Sequence, residues 1–151
     1  MLIKVGDPAP DFTLKTQDDK VFTLAANRNK TVVLLWYPLD FSPTCEKENC
    51  TISQDRSLYG PNRVVVGISR DSTWCHKAFK TERKIAHDLL ADPMLEVTKK
   101  YGLEHPKVPF ISQRATVIVD KNGKVAFVQV QEKTAEPRDM QAVQAALAKL
   151  G

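Results

Sequence analysis

Cys45 is the side chain of this sequence best placed for covalent chemistry. It follows the apolar run of residues 31–37 and the loop-like segment 38–44, and the residues after it are polar with few helix breakers. We therefore predict a buried strand, a short loop and a helix that begins near Cys45. A thiol at a helix N-terminus meets the positive end of the helix dipole and unpaired backbone N–H groups, which favour the thiolate. Because the thiolate is the nucleophilic form, Cys45 is predicted to be a reactive or redox-active cysteine.

Three further residues have properties that suit the same site. Ser42 lies three residues before Cys45, so its hydroxyl can face the same small space and hold a thiolate or a substrate oxygen. Pro38 has no backbone N–H and can shield one side of the site from water. Arg114 opens the run that continues through residues 115–119, and it reaches this site if that run forms a strand beside residues 31–37. A guanidinium there stabilises a thiolate more strongly than the helix dipole does alone.

The order of the predicted elements indicates an α/β protein. Alternating strands and helices predict a thioredoxin-like fold, with a central mixed sheet that is mostly parallel, helices on both faces and an N-terminal β-hairpin extension. The expected strands lie in a hairpin within residues 12–24, at 31–37, 63–69 and 88–91, and in a hairpin of 116–119 with 125–128. The expected helices cover residues 44–57, 72–86, 93–101 and 137–150. We expect a single domain over residues 1–151, a length that buries about 70% of the unfolded surface.

Composition and charge limit the classes of partner. The chain has 151 residues and a net charge of +4, with its basic residues spread along the sequence. The densest basic cluster, Lys77, Lys80, Arg83 and Lys84, has the spacing of a solvated helix face, so we expect no nucleic-acid partner. No apolar run reaches the roughly 18 residues that span a bilayer, and we recognise no secretory signal, so we expect no membrane partner. An odd number of cysteines, three, then predicts functional thiols in a reducing compartment, the cytoplasm.

The motif Pro38-x-x-x-Ser42-x-x-Cys45, together with the upstream Gly6-x-x-Ala9-Pro10-Asp11-Phe12 and the later Arg114, resembles the peroxiredoxins of the AhpC/TSA superfamily. The Cys45-x-x-x-x-Cys50 spacing is most similar to their bacterioferritin comigratory protein or PrxQ subfamily. The resemblance extends from Gly6 to the final helix.

This resemblance implies a thiol-dependent peroxidase that reduces hydrogen peroxide and organic hydroperoxides. It implies that Cys45 is the peroxidatic cysteine, that Ser42 hydrogen-bonds the peroxide, and that Arg114 stabilises the thiolate and the developing oxyanion, with Pro38 beside them. Cys45 would be oxidised to a sulfenic acid and then form an intramolecular disulfide, which thioredoxin or a similar dithiol reduces. No metal or organic cofactor is implied.

The sequence offers two candidates for the resolving cysteine, Cys50 and Cys75. Cys50 is favoured, but on a continuous helix its Cα lies about 8.6 Å from that of Cys45, and a disulfide needs ~4.4–6.8 Å. Resolution by Cys50 therefore requires the helix to unwind in every cycle. Cys75 stands where the family commonly has serine, and it is the alternative resolving residue. A one-cysteine cycle that uses an external thiol is a third alternative.

Three further residues, the class of protein and the oligomeric state carry expectations of their own. His76 is expected to be structural, because neighbouring helical positions diverge by about 100° and Cys75 and His76 should not share a site. Trp74 is expected in the core or as a cover over a loop, with a docking role for a reductase as the alternative. Glu48 either contacts Arg114 or is solvated. Two other functions are alternatives to the peroxidase. A thioredoxin-type exchange protein is disfavoured by the absence of Cys-x-x-Cys. A redox sensor or holdase is the second alternative. We expect a monomer, with a weak homodimer as the alternative.

Overall fold

The computed structural model describes residues 1–151. Its strands are β1 (Thr13–Thr16), β2 (Val21–Thr23), β3 (Thr31–Trp36), β4 (Arg63–Ser69), β5 (Asp88–Ala91), β6 (Ala115–Val119) and β7 (Val125–Val130). Its helices are α1 (Pro43–Gln54), α2 (Thr73–Arg83), α3 (Glu96–Lys100) and α4 (Met140–Leu150). Every predicted strand and helix is present, in the predicted order.

The strands form one seven-stranded sheet in the order β2-β1-β5-β4-β3-β6-β7. The neighbours β5, β4 and β3 are parallel, and all other neighbouring pairs are antiparallel. The sheet is therefore mixed, as predicted, but the expectation that it is mostly parallel was wrong. The N-terminal hairpin adds to the sheet because β1 pairs antiparallel with β5, with Thr16 opposite Leu90. This pairing joins remote parts of the chain, so local sequence patterns do not reveal its direction.

Strand β3 lies at the centre of the molecule and is buried on both faces. Val32, Leu34 and Trp36 belong to a core that also contains side chains of α3 and of the N-terminal hairpin region. Val33 and Leu35 face the opposite core, which contains residues of α1 and α4. Burial on both faces explains why the sequence of β3 is continuously apolar rather than alternating. It also fixes β3 as the rigid support from which the Cys45 loop emerges.

The helix boundaries differ from the predicted ones by a few residues. α1 begins at Pro43, because proline suits the first turn of a helix, and Cys45 therefore lies inside the first turn. α2 ends at Arg83, since Lys84 takes the left-handed conformation with a φ of 54°. α4 begins only at Met140, where the Asp139 side chain accepts a hydrogen bond from the N–H of Ala142. α3 is confined to Glu96–Lys100. None of the four helices combines the length and the apolar character that crossing a membrane requires.

His87 contacts α1 through buried hydrogen bonds. Its Nε2 lies 2.8 Å from Asn49 Oδ1, and its Nδ1 lies 3.2 Å from the Tyr59 hydroxyl. Asn49 Nδ2 donates to the Cys45 carbonyl, which orients the amide so that its oxygen faces the histidine. Nε2 therefore carries the hydrogen of this contact. Burial, followed by the positive charges of Lys80 and Arg138, lowers the pKa of His87 from 6.5 to about 3.

We expect the free energy of unfolding to fall as the pH drops from 6.5 to about 3, because only the unfolded chain then protonates His87. Above this window His87 is neutral in both states, and below it both states are protonated. The slope is at most about 1.4 kcal/mol per pH unit for this one group. Urea unfolding at several pH values measures it, with His87→Gln as the comparison. Equal slopes for the two proteins would contradict the assignment.

Candidate active site

Cys45 is the third residue of α1 and is 1% exposed. It packs in a small apolar cluster with Tyr37, Phe79, Ile85 and Leu89. Its backbone N–H lies just ahead of the first bond of the helix, which runs from the N–H of Glu46 to the Ser42 carbonyl. The helix start therefore directs unpaired backbone donors and the positive dipole end toward the thiol region.

Arg114 is the cation that contacts this thiol. β6 pairs antiparallel with β3, with Ala115 opposite Trp36, so Arg114 stands beside the chain where it leaves β3. Its Nη2 lies 3.1 Å from Cys45 Sγ, and its side chain is 1% exposed. Nε and Nη2 both donate to the Thr134 carbonyl, at 3.1 and 2.9 Å. The strand adjacency on which the sequence interpretation depended is present, and the guanidinium is held in a fixed position.

Glu48 and Arg138 complete the charged cluster around Cys45. Glu48 Oε1 accepts from Arg114 Nη1 at 2.5 Å, and Oε2 accepts from the backbone N–H of Arg138 at 2.6 Å. The Arg138 side chain is also 1% exposed, with its Nε 3.3 Å from Glu48 Oε1. Its other nitrogens donate to the carbonyls of Trp36 and Ala115. Two buried guanidinium groups thus face one buried carboxylate.

The charges in this cluster balance when Cys45 is a thiolate. Burial lowers the pKa of Arg138 to about 10, and the Arg114 charge lowers it as well, while Glu48 and Cys45 oppose the shift. Arg138 therefore still carries its proton at neutral pH. With a neutral thiol, the cluster would hold one uncompensated positive charge away from water, which is costly. Cys45 is the side chain in contact with this cluster whose anionic form would complete its charge balance.

Arg138 is a residue that the sequence reasoning missed. It lies in an irregular segment, just before the Asp139 cap of α4, and resembles an ordinary surface arginine in its local sequence. Only the tertiary structure brings Arg138 to Glu48. From the sequence, Glu48 could either contact Arg114 or be solvated. In the structure it contacts Arg114.

Ser42 and Pro38 lie in the loop between β3 and α1. Pro38 is buried directly beyond the end of β3. Ser42 is the extended residue before α1, and its hydroxyl donates to the Leu39 carbonyl at 2.9 Å rather than capping the helix. Because its hydrogen is used in that bond, the Ser42 oxygen keeps its lone pairs to accept a hydrogen bond from a ligand.

The structure leaves all three cysteines unpaired and separates the two resolving candidates. Cys50 lies in the same continuous helix as Cys45, with its Sγ 3.9 Å from the Arg83 carbonyl. Cys75 lies in the first turn of α2, with its Sγ 3.8 Å from Asp71 Oδ1. Burial and the Asp40 and Asp71 carboxylates raise the pKa of Cys75 to about 12. This raised pKa disfavours the thiolate form of Cys75.

Comparison with known proteins assigns the family. The model of the AhpC/TSA family matches residues 5–128. The chain belongs to this family. It is 34% identical over 127 residues to "Peroxiredoxin Q, chloroplastic" of Triticum aestivum, which is 83% of this chain and 58% of that protein. It is 35% identical over 134 residues to a Coxiella burnetii protein named peroxiredoxin bcp, which is 85% of this chain and 89% of that protein. The resemblance seen in the sequence is confirmed.

Solved structures of family members confirm the thioredoxin-like fold. The crystal structure of peroxidoxin BcpB from Mycobacterium tuberculosis has a TM-score of 0.86 at 25% identity and covers 99% of both chains. A peroxiredoxin-like protein from Aquifex aeolicus has a TM-score of 0.91 at 26% identity, over 100% of this chain and 90% of that one. The chain spans 58% of the wheat relative's length.

A buried polar network fixes the loop of this family member from the side opposite Arg114. His76 Nδ1 lies 2.7 Å from Asp40 Oδ2, and its Nε2 lies 3.1 Å from the Leu90 carbonyl. The Tyr37 hydroxyl donates to Asp40 Oδ1 at 2.6 Å. The ring of His76 is thus held at both of its nitrogens, one by a carboxylate oxygen and the other by a backbone carbonyl.

His76 has the structural role expected for it, since it is fully buried and bonds Asp40 and the Leu90 carbonyl. The ligand atoms that lie within 4.8 Å of one another near Cys75 belong to Asp40, Asp71 and Cys75, without His76. The expectation for Trp74 was wrong. Trp74 is 85% exposed rather than buried in the core.

The carboxylates near Cys75 are bonded to groups of the protein itself. Asp71 Oδ2 accepts from the Asp40 amide and from the Ser69 hydroxyl, and Asp40 accepts from His76 and Tyr37. These hydrogen-bond donors of the protein stabilise the carboxylates of the cluster, so a bound cation is not needed to explain why they lie close together.

We expect Asp40→Asn to lower the free energy of unfolding by about 3 kcal/mol, because breaking a buried pair leaves its partner without compensation. Chemical denaturation measures the change. Asp18→Asn is the matched control, because Asp18 pairs with Lys77 at the surface and its loss should leave stability unchanged. Similar stabilities for the Asp40 variant and the unmodified protein would show that the network does not hold the loop.

Proposed function

We propose that the chain is a thiol-dependent peroxidase that reduces hydrogen peroxide and organic hydroperoxides at Cys45. The observation that carries the proposal is the contact of Arg114 Nη2 with Cys45 Sγ at 3.1 Å, inside a buried cluster whose charges balance only with a thiolate. Membership of the AhpC/TSA family and relatives named as peroxiredoxins support it.

The first step follows from the groups around the sulfur. The Cys45 thiolate attacks the terminal peroxide oxygen, an S–O bond forms, and the O–O bond breaks. The departing oxygen takes up a proton and leaves as water or alcohol, and Cys45 becomes a sulfenic acid. Arg114 and the N–H of Cys45 donate to the oxygen on which charge develops, and Ser42 accepts from the peroxide O–H. Pro38 shields the loop side. Such fixed donors act on charge that appears in the transition state.

We propose Cys50 as the resolving cysteine. Its thiol attacks the sulfenic sulfur, the S–O bond breaks, and water leaves as the disulfide forms. α1 must unwind for this, and its own side chains weaken it. Those of Asn49, Thr51 and Ser53 bond to carbonyls one turn earlier, a pattern that competes with helix geometry. Cys75 is the alternative, and its raised pKa makes it a poor nucleophile.

We also propose an oligomeric state, a reductant and a cellular location for this chain. A disulfide between Cys45 and Cys50 lies within one chain, so the cycle needs no second subunit, and we propose a monomer. A thioredoxin or a similar dithiol would reduce that disulfide. Three free cysteines suit a reducing compartment, and we propose the cytoplasm. The plant relatives carry names that place those proteins in the chloroplast.

We expect Cys45→Ser to abolish peroxidase turnover and Arg114→Gln to lower kcat/KM for hydrogen peroxide by about 10²–10³-fold, as loss of a transition-state donor does. NADPH consumption with thioredoxin and thioredoxin reductase measures turnover. Arg28→Gln is the control, because Arg28 donates to the Asn122 carbonyl on the surface and should leave turnover unchanged.

The Arg114 variant needs a check on folding, which thermal unfolding of the same samples provides. A folded Arg114→Gln protein with full activity would overturn the proposed role. If peroxide oxidises Cys45 once, in stoichiometric amount and without turnover, the protein would instead be a redox sensor.

We expect Cys50→Ser to slow thioredoxin-dependent turnover at least tenfold and to leave the first oxidation of Cys45 intact. Cys75→Ser should change neither. Mass spectrometry of protein treated with one equivalent of peroxide identifies the linkage, and we expect Cys45 bonded to Cys50. A dominant bond between Cys45 and Cys75 would reverse the assignment of the two candidates.

A further inference from the structure

Arg83, the last residue of α2, contacts the chain on both sides of Cys45. Its Nε donates to Glu46 Oε1 at 2.5 Å, and Glu46 follows Cys45 directly. Its guanidinium carbon lies 5.6 Å from the ring centre of Phe41, four residues before Cys45. Its backbone carbonyl faces Cys50 Sγ at 3.9 Å. One residue of a neighbouring helix thus joins the loop, the first turn of α1 and the proposed resolving cysteine.

These contacts share one face of α1. Glu46 and Cys50 are four residues apart, so both lie on the side of α1 that faces the end of α2. Cys45 is turned away from them, toward Arg114. For the two sulfurs to meet, the turn that contains Glu46 must unwind and Cys50 must leave the Arg83 carbonyl. The ion pair between Glu46 and Arg83 holds that turn closed.

The end of α2 is itself firmly held, so it can act as a fixed support. Lys80 Nζ donates to the carbonyls of Ile85, Ala86 and His87 at 2.8, 3.1 and 2.7 Å. The N–H of Ala86 donates to Ser53 Oγ in α1. The segment after Arg83 is therefore ordered against the later turns of α1. Arg83 adds the contact to the first turn.

We propose that Arg83 is a positioning residue that sets how often the first turn of α1 opens. It thereby sets the fate of the Cys45 sulfenic acid, a deepening that rests on the proposed peroxidase function. In the open state, Cys50 condenses with the sulfenic acid, giving a disulfide and water. In the closed state, a second peroxide oxidises the sulfenic acid to a sulfinic acid and is itself reduced to water or alcohol. A tighter contact at Arg83 favours the second outcome.

The expected effect is modest because both side chains of the ion pair are partly exposed, at 39% and 33%. Exposed pairs are weak and are screened by salt. We expect Arg83→Gln to raise the rate of disulfide formation by about two- to fivefold, within the range of such pairs. The rate of the first oxidation should stay unchanged, because the closed state remains the major one.

The experiment mixes reduced protein with one equivalent of hydrogen peroxide, stops the reaction at intervals by acid and alkylation, and measures sulfenic, disulfide and sulfinic forms by mass spectrometry. A second series with excess peroxide gives the sulfinic fraction, which should fall in Arg83→Gln. Glu46→Gln should have the same effect, and the double variant should add nothing. High salt should raise the rate of the unmodified protein toward that of the variants.

Lys77→Gln is the matched control. Lys77 is also a cation of α2 paired with a carboxylate, but its partner is Asp18 in the N-terminal hairpin. It should leave both rates unchanged. Unchanged disulfide rates in Arg83→Gln and Glu46→Gln, with Cys45 still oxidised normally, would overturn the role of Arg83 alone. A Cys45 that peroxide leaves unoxidised in the unmodified protein would overturn the proposed function, and this inference with it.

Discussion

The arrangement of the site depends on one electrostatic constraint: two buried guanidinium groups share a single carboxylate. Arg114 and Arg138 both face Glu48, and each is also held by carbonyl oxygens of the backbone. Carbonyls stabilise a cation but do not neutralise it. Cys45, whose sulfur touches Arg114, is the group whose proposed thiolate form would supply the second negative charge. In that form the thiolate would be part of the charge balance of the fold, in addition to its interaction with a helix dipole of ~0.3–1 kcal/mol.

The fold creates this constraint by bringing distant segments to the end of β3. β6 delivers Arg114 because it pairs beside β3, and the segment before α4 delivers Arg138, whose side chain bonds to the carbonyl of Trp36 in β3. On the other side of the loop, Asp40 is fixed by Tyr37 and His76. The loop between β3 and α1 is therefore anchored from two independent sides.

Much of the fold could be predicted from the sequence because its signals are local. The apolar run of β3, the Asn122-Gly123 turn and the proline at the start of α1 all act through short-range geometry. The contact of Arg114 with Cys45 was expected only on the condition that the strand after Arg114 lies beside β3, and the structure meets that condition. Arg138 could not be found, because its role arises from a tertiary approach to Glu48 across 90 residues of sequence. The partner of His76, Asp40, could not be found for the same reason, since helix periodicity says nothing about a loop that packs against the helix.

The charge balance also links the proposed chemistry to the proposed opening of α1. A sulfenic acid is neutral, so oxidation of Cys45 removes the negative charge that compensated the second guanidinium. The cluster is then left with one excess positive charge, and the attraction of Arg114 for the sulfur weakens. Glu48 still ties the middle of α1 to both arginines, whereas the first turn keeps Arg83 and Glu46 on its outer side. The step that consumes the thiolate therefore loosens the inner contact of the first turn and leaves the exposed outer contact as the main resistance to opening.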